Sequence, residues 1–121
     1  MGLTTVVARV GKGKRSQRLR LLVDSGASFS LLPEKVWKRL RLKPLDRVTL
    51  VLANGTEIER PLSEVWFEYR GAGRTSPGIL GTGGDEALLG AVTLETMGLM
   101  LNPLSRELLP MKLKLARQGG Q

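Results

Sequence analysis

Apolar and polar residues alternate along most of this chain, and Gly, Pro and Asn interrupt the alternation at short intervals, the pattern of strands joined by turns. Residues 4–10 are β-branched and apolar, Gly11-Lys12-Gly13-Lys14 is a glycine-marked turn region, and residues 18–23 are a second apolar run. Together they predict a β-hairpin with a long basic tip. Pro33 suits a first helical position and Val36, Trp37 and Leu40 lie at helical spacing, so residues 33–40 are expected to form a short helix that Lys43-Pro44 ends. Residues 48–53 and 57–61 flank Asn54-Gly55, the strongest short hairpin signal in the chain. Residues 65–69 read as a further strand, 71–73 as a turn, and the glycine-rich stretch 75–85 as irregular. Residues 87–89 are apolar, 91–97 read as a helix closed by Gly98, and 99–102 with 107–109 predict a last hairpin around Pro103-Leu104-Ser105-Arg106.

The pattern contains an echo. Residues 31–45, LLPEKVWKRLRLKPL, and 88–104, LLGAVTLETMGLMLNPL, each hold a Leu-Leu pair, a short helix and a Pro-Leu exit, the second copy being two residues longer. If the echo reflects the fold, the domain consists of two related strand-turn-helix halves packed on each other.

Length and composition narrow the picture. At 121 residues the chain fits one domain with one core. That domain is expected over residues 1–111, with 112–121 a basic, glycine-ended tail. Hydrophobic residues make up 41% and charged residues 25%, the balance of a globular protein. No apolar run reaches the roughly 20 residues a membrane span requires, and residues 1–20 lack the apolar core of a signal peptide. A cytoplasmic location and no membrane partner are therefore expected. With no cysteine and no histidine, thiol nucleophiles, disulfides and the commonest metal ligands are absent. Neither a metal nor a cofactor is expected, and any catalysis falls to carboxylates, hydroxyls or lysines.

The net charge of +8 is local. Arg9, Lys12, Lys14, Arg15, Arg18 and Arg20 crowd residues 9–20 without an acid, whereas residues 54–95 hold seven acids against three bases. Such end-loaded charge is one way to hold nucleic acid. None of the five aromatics interleaves with the cluster, however, as a single-strand stacking platform requires. The sequence therefore argues against a nucleic-acid partner.

One stretch carries chemistry. Leu21-Leu22-Val23 runs into Asp24-Ser25-Gly26-Ala27, placing an acid where a core strand breaks into a tight loop. Gly26 permits close backbone approach and Ala27 keeps the space above the loop open. On the tripeptide alone, an Asx turn in which Asp24 caps its own loop is the favoured account.

Three motifs in order make the chain resemble the retropepsin-like aspartic proteases, single-domain relatives of pepsin that work as homodimers. They are Leu22-Val23-Asp24-Ser25-Gly26-Ala27, a glycine-bearing hairpin in the flap position with Ala53, Asn54, Gly55 and Thr56 at its tip, and Leu88-Leu89-Gly90 followed by a short helix. The resemblance covers roughly residues 6–110. It departs from the viral pattern in having one glycine near the flap tip, and the basic loop 11–18 has no family role. The resemblance implies a mostly β fold: a small closed β-barrel with one or two short helices, forming half of a two-fold symmetric dimer. It also implies hydrolysis of polypeptides with Asp24 as catalytic acid, Ser25 bonding across two facing loops, Gly26 bringing its amide to the carboxylate, and Leu88, Leu89 and Gly90 supporting the loop. Asp46 and Asp85 lack the flanking pattern, so the implied second acid is Asp24 of another copy. Two other readings stay open: a catalytically silent peptide-binding or dimerisation module of the same fold, and a basic β-barrel that binds nucleic acid.

Overall fold

The computed structural model describes residues 3–111, so the expected tail at 112–121 lies outside the described residues. β1 (Thr5–Lys12) and β2 (Arg15–Val23) form the first hairpin. β3 (Ser30–Leu32) leads into α1 (Glu34–Arg39), β4 (Asp46–Val51) and β5 (Glu57–Tyr69) form the second hairpin, and β6 (Ala72–Leu80) returns along β5. β7 (Leu88–Leu89), α2 (Ala91–Thr96), β8 (Leu99–Asn102) and β9 (Glu107–Pro110) follow.

The sheet order β1-β2-β7-β3-β6-β5-β4 closes on itself through an additional β1–β5 pairing, so six strands form a ring and β4 extends β5 beyond it. The expected closed, mostly β architecture with two short helices is what the chain adopts. Alternation fills the ring: Ala8, Val10, Leu21, Val23, Val65 and Phe67 point inward and are buried, while Arg9, Arg18, Arg20 and Trp66 point out. Leu32, Leu80 and Leu89 join the core, and α1 and α2 close its ends with Val36 and Leu94. Burying each such side chain contributes about 1.5–3 kcal/mol.

Three expectations are corrected. The basic tip is a tight turn at Gly13-Lys14, because Gly13 adopts φ 60° and lets the strands run almost to the end. Pro33 caps α1 from an extended conformation rather than opening it. Most of the glycine-rich stretch 75–85 is strand: Thr75 to Leu80 belong to β6, and only Gly81 to Asp85 are irregular. Gly81 answers to crowding, since a Cβ there would lie 2.8 Å from Leu31 Cδ2 and 2.9 Å from the Leu32 carbonyl, whereas Gly84 serves a positive φ of 89°.

The echo is architectural. β2 pairs with β7 in parallel and β3 with β6 in parallel, while Leu31 and Leu88 face each other across the antiparallel β3–β7 contact. Asp24 N donates to Leu89 O at 3.0 Å, and Gly81 N donates to Leu32 O at 2.8 Å. An approximate internal two-fold through the Leu31–Leu88 pair therefore exchanges β2 with β6, β3 with β7 and α1 with α2, and sets Asp24 against Gly81.

Candidate active site

Asp24 ends β2 half-buried, its backbone amide tied to β7 through Leu89 O. Gly26 N donates to Asp24 Oδ1 at 3.0 Å and Ala27 N to Asp24 O at 3.1 Å, so the carboxylate is held by the turn it heads. A Cβ on Gly26 would sit 3.3 Å from Asp24 Oδ1, a tight approach that glycine relieves. One oxygen is thus oriented from behind by an amide. Ser25 and Ser28 are exposed, and Ala27 and Phe29 are half-buried.

The loop rests on the other half of the molecule. Leu22 pairs with Leu88 and Val23 with Leu89, so Leu88 and Leu89 abut the strand that delivers the acid. Ala91 N donates to Ala27 O at 2.8 Å and Val92 N to Ser28 O at 2.9 Å, pinning the far side of the loop to the first residues of α2. Gly90 is obligatory: a Cβ there would stand 2.5 Å from Phe29 C and 2.6 Å from Phe29 O. Leu88, Leu89 and Gly90 therefore lie against the Asp24 loop.

Sequence reasoning missed a buried hydroxyl network beneath it. Gly90 N donates to Ser30 Oγ at 3.0 Å, Ser30 Oγ and Thr93 Oγ1 share a hydrogen bond of 2.6 Å, and Thr93 Oγ1 and Ser76 Oγ one of 2.9 Å. All three side chains are fully buried, so each hydroxyl depends on the others for a partner. The network joins β3, β6 and α2 directly behind the Asp24 loop. A serine or threonine at an inward strand position was its only signal in the sequence, and it becomes legible only once the β3–β6 pairing is known.

Two surfaces meet at the loop. On one side Gly26, Ala27, Ser28 and Phe29 face Val48 to Leu52 of the second hairpin across a cleft of about 420 Å³. On the other, Ser25 borders a groove formed by Leu94, Leu99, Met100, Leu101 and Pro103, with Met100 exposed. The tip of the second hairpin is ordered by its own bonds. Leu52 N donates to Thr56 O and Gly55 N to Leu52 O, both at 2.8 Å, and Thr56 N donates to Asn54 Oδ1 at 2.9 Å, with Gly55 at φ 85°. Ala53, Asn54, Gly55 and Thr56 are all exposed and stand at the end of the strand that walls the cleft.

A family model described as aspartyl protease matches residues 6–91, a span that holds the Asp24 loop, the second hairpin and Leu88-Leu89-Gly90. The chain belongs to the aspartyl protease family. Among solved structures, this family member is similar to EIAV protease complexed with the inhibitor HBY-793, at 19% identity and a TM-score of 0.61 over 94% of each chain. It is also similar to simian foamy virus (mac) protease, at 20% identity and a TM-score of 0.55 over 75% of this chain and 91% of that one. Prototype foamy virus protease-reverse transcriptase matches at 20% identity and a TM-score of 0.53, covering 93% of this chain and 12% of that chain. These likenesses establish a retropepsin-like fold. No curated protein sequence matches the chain.

Proposed function

We propose that the protein is an aspartic endopeptidase active as a homodimer, in which Asp24 of two copies forms the catalytic pair. The observation that carries this reading is the Asp24 loop, whose Ser25 borders the apolar groove while its Gly26 to Phe29 line the cleft. An extended polypeptide fits a cleft walled by the edge of β4, and a second copy fits the groove beside Ser25. Two aspartyl loops meeting across such a contact place one carboxylate beside the other, and two facing carboxylates hold one proton between them. The ionised member takes a proton from a water molecule as its oxygen attacks the scissile carbonyl carbon, and the protonated member donates to the carbonyl oxygen. Collapse of the tetrahedral species breaks the C–N bond as the amine nitrogen takes a proton. Ser25, exposed at the meeting edge, supplies a hydrogen bond between the loops.

Asn54 and Gly55 serve as the tip of a flap that closes over the bound peptide, adding backbone hydrogen bonds and excluding water. Hydrogen exchange at residues 48–61 is expected to slow when a peptide-mimetic inhibitor binds, and identical exchange at saturation contradicts a flap. The decisive test of the enzymatic reading is a peptide-library digest across a dilution series with solution mass measured in parallel. Cleavage whose specific activity falls as the dimer dissociates supports the proposal. Peptide binding without cleavage by the dimer contradicts it and favours a silent module of the same fold.

A further inference from the structure

The first hairpin's basic residues acquire an aromatic neighbour in the fold. Gly11 of β1 pairs with Trp66 of β5, and Trp66 pairs with Thr75 of β6, so the indole stands on the outer face of the ring beside the basic hairpin. Its surroundings are small. A Cβ on Gly73 would fall 1.9 Å from Trp66 Cζ2, which means the ring lies flat over the Gly73 backbone, and the side chain is 40% exposed. A cavity of about 430 Å³ runs alongside, lined by Gly11, Lys12, Gly13, Glu64, Trp66 and Thr75. None of these residues lines the cleft next to the Asp24 loop.

Bases surround the ring by register. Arg9 lies directly opposite Arg18, Lys12 opposite Arg15, and Arg20 opposite Val7, all exposed. Like charges facing each other across a sheet destabilise it. Neither salt bridge among the described residues involves any of these bases: Arg9 donates to Ser16 Oγ and Arg20 to Thr5 Oγ1. Two acids share the face, Glu68 beside Arg9 and Glu64 at the cavity. Covering a glycine explains where the indole rests, but it explains neither the opposed arginines nor the cavity edged by Lys12.

We propose that this face binds single-stranded nucleic acid, with Trp66 as a stacking platform and Arg9, Arg18 and Arg20 contacting phosphates. A flat, half-exposed ring on a glycine shelf offers one π face to an unpaired base, and flanking cations suit a backbone charged at every nucleotide. A duplex keeps its base faces hidden, and an acidic peptide has no base to lay on the indole.

The test is fluorescence anisotropy of a labelled twelve-nucleotide single strand titrated with the full chain at low and moderate salt. Trp66→Ala is expected to weaken binding about tenfold while Trp66→Phe keeps most of it. Arg9→Gln with Arg18→Gln, which leaves the ring's packing untouched, is expected to flatten the salt slope by roughly one to two units. Absent binding, binding unchanged by Trp66→Ala or by the double variant, equal affinity for the same sequence as a duplex, or equal affinity for a poly-glutamate peptide would each overturn the proposal. The readout does not depend on cleavage, so it stands apart from the outcome for Asp24.

Discussion

The two halves of the molecule share a wiring diagram and differ at the residue where each loop begins. In the first, β2 ends at Asp24, whose amide reaches Leu89 O; in the second, β6 ends at Gly81, whose amide reaches Leu32 O. Both loops lead into a Leu-Leu strand, a capping residue, Pro33 or Gly90, and a six-residue helix. Yet the second loop carries its acid four positions later, at Asp85, and spends that carboxylate on itself: Oδ2 accepts from Thr82 N at 2.8 Å and Thr82 Oγ1 at 3.2 Å. Among the described residues, Asp24 Oδ1 accepts only the Gly26 amide at the head of its turn. The internal two-fold therefore duplicates the scaffold without duplicating the acid, and the proposed catalytic pair draws its second acid from another copy.

Substitutions at matched positions separate the halves. The largest contrast is Asp24→Asn, expected to lower cleavage by at least about a thousandfold while the fold and self-association hold, against Asp85→Ala, expected to leave cleavage within about threefold and cost about 1–2 kcal/mol in denaturant unfolding through its lost loop bonds. Equal losses of activity would mean that the second loop shares the chemistry. Next in size is Gly90→Ala, whose added Cβ would stand 2.5 Å from the Phe29 carbonyl carbon. It is expected to destabilise by about 3 kcal/mol or more, whereas Pro33→Ala at the matching cap costs under about 1 kcal/mol; thermal melts of both decide it.

Smaller is Thr93→Val, which leaves Ser76 Oγ without its partner and Ser30 Oγ with the Gly90 amide alone, and is expected to cost about 1–3 kcal/mol and to lower kcat more than it raises KM, because the Asp24 loop loses its backing. The smallest contrast lies at the helix exits, where Arg41 at φ 58° matches Gly98 at φ 68°. Arg41→Gly is expected to stabilise by up to about 1 kcal/mol and Gly98→Ala to destabilise by about as much. Opposite signs in chemical denaturation are the criterion.

Much of this arrangement was legible in the residues. Asp24-Ser25-Gly26-Ala27, Asn54-Gly55 and Leu88-Leu89-Gly90 each join a local backbone demand to a residue type that meets it; the fold sets Leu88-Leu89-Gly90 against the Asp24 loop, with Asn54-Gly55 at the exposed tip of the hairpin whose β4 walls the neighbouring cleft. What could not be read arises from distant pairing. Gly78 and Gly81 look like loop residues until Val65 and Leu31 are seen pressing on them. Ser30, Ser76 and Thr93 look like ordinary polar positions until β3 lies beside β6. Trp66 seems unrelated to the bases until β1 closes the ring against β5. Residues 57–69 read as two strands because Pro61 interrupts the pattern, yet β5 passes through Pro61 unbroken in its pairing with β4.

The account turns on whether two chains each supply one acid, and mixing tests that directly. Wild-type chain and Asp24→Asn chain are combined in varying ratio at fixed total concentration, allowed to exchange subunits, and assayed on one peptide. If the pair is shared, only wild-type dimers cut, and an equal mixture retains about a quarter of the wild-type activity, the square of the wild-type fraction. Activity that falls in simple proportion, to about half in the equal mixture, would show that one chain holds the whole catalytic apparatus and would contradict the account.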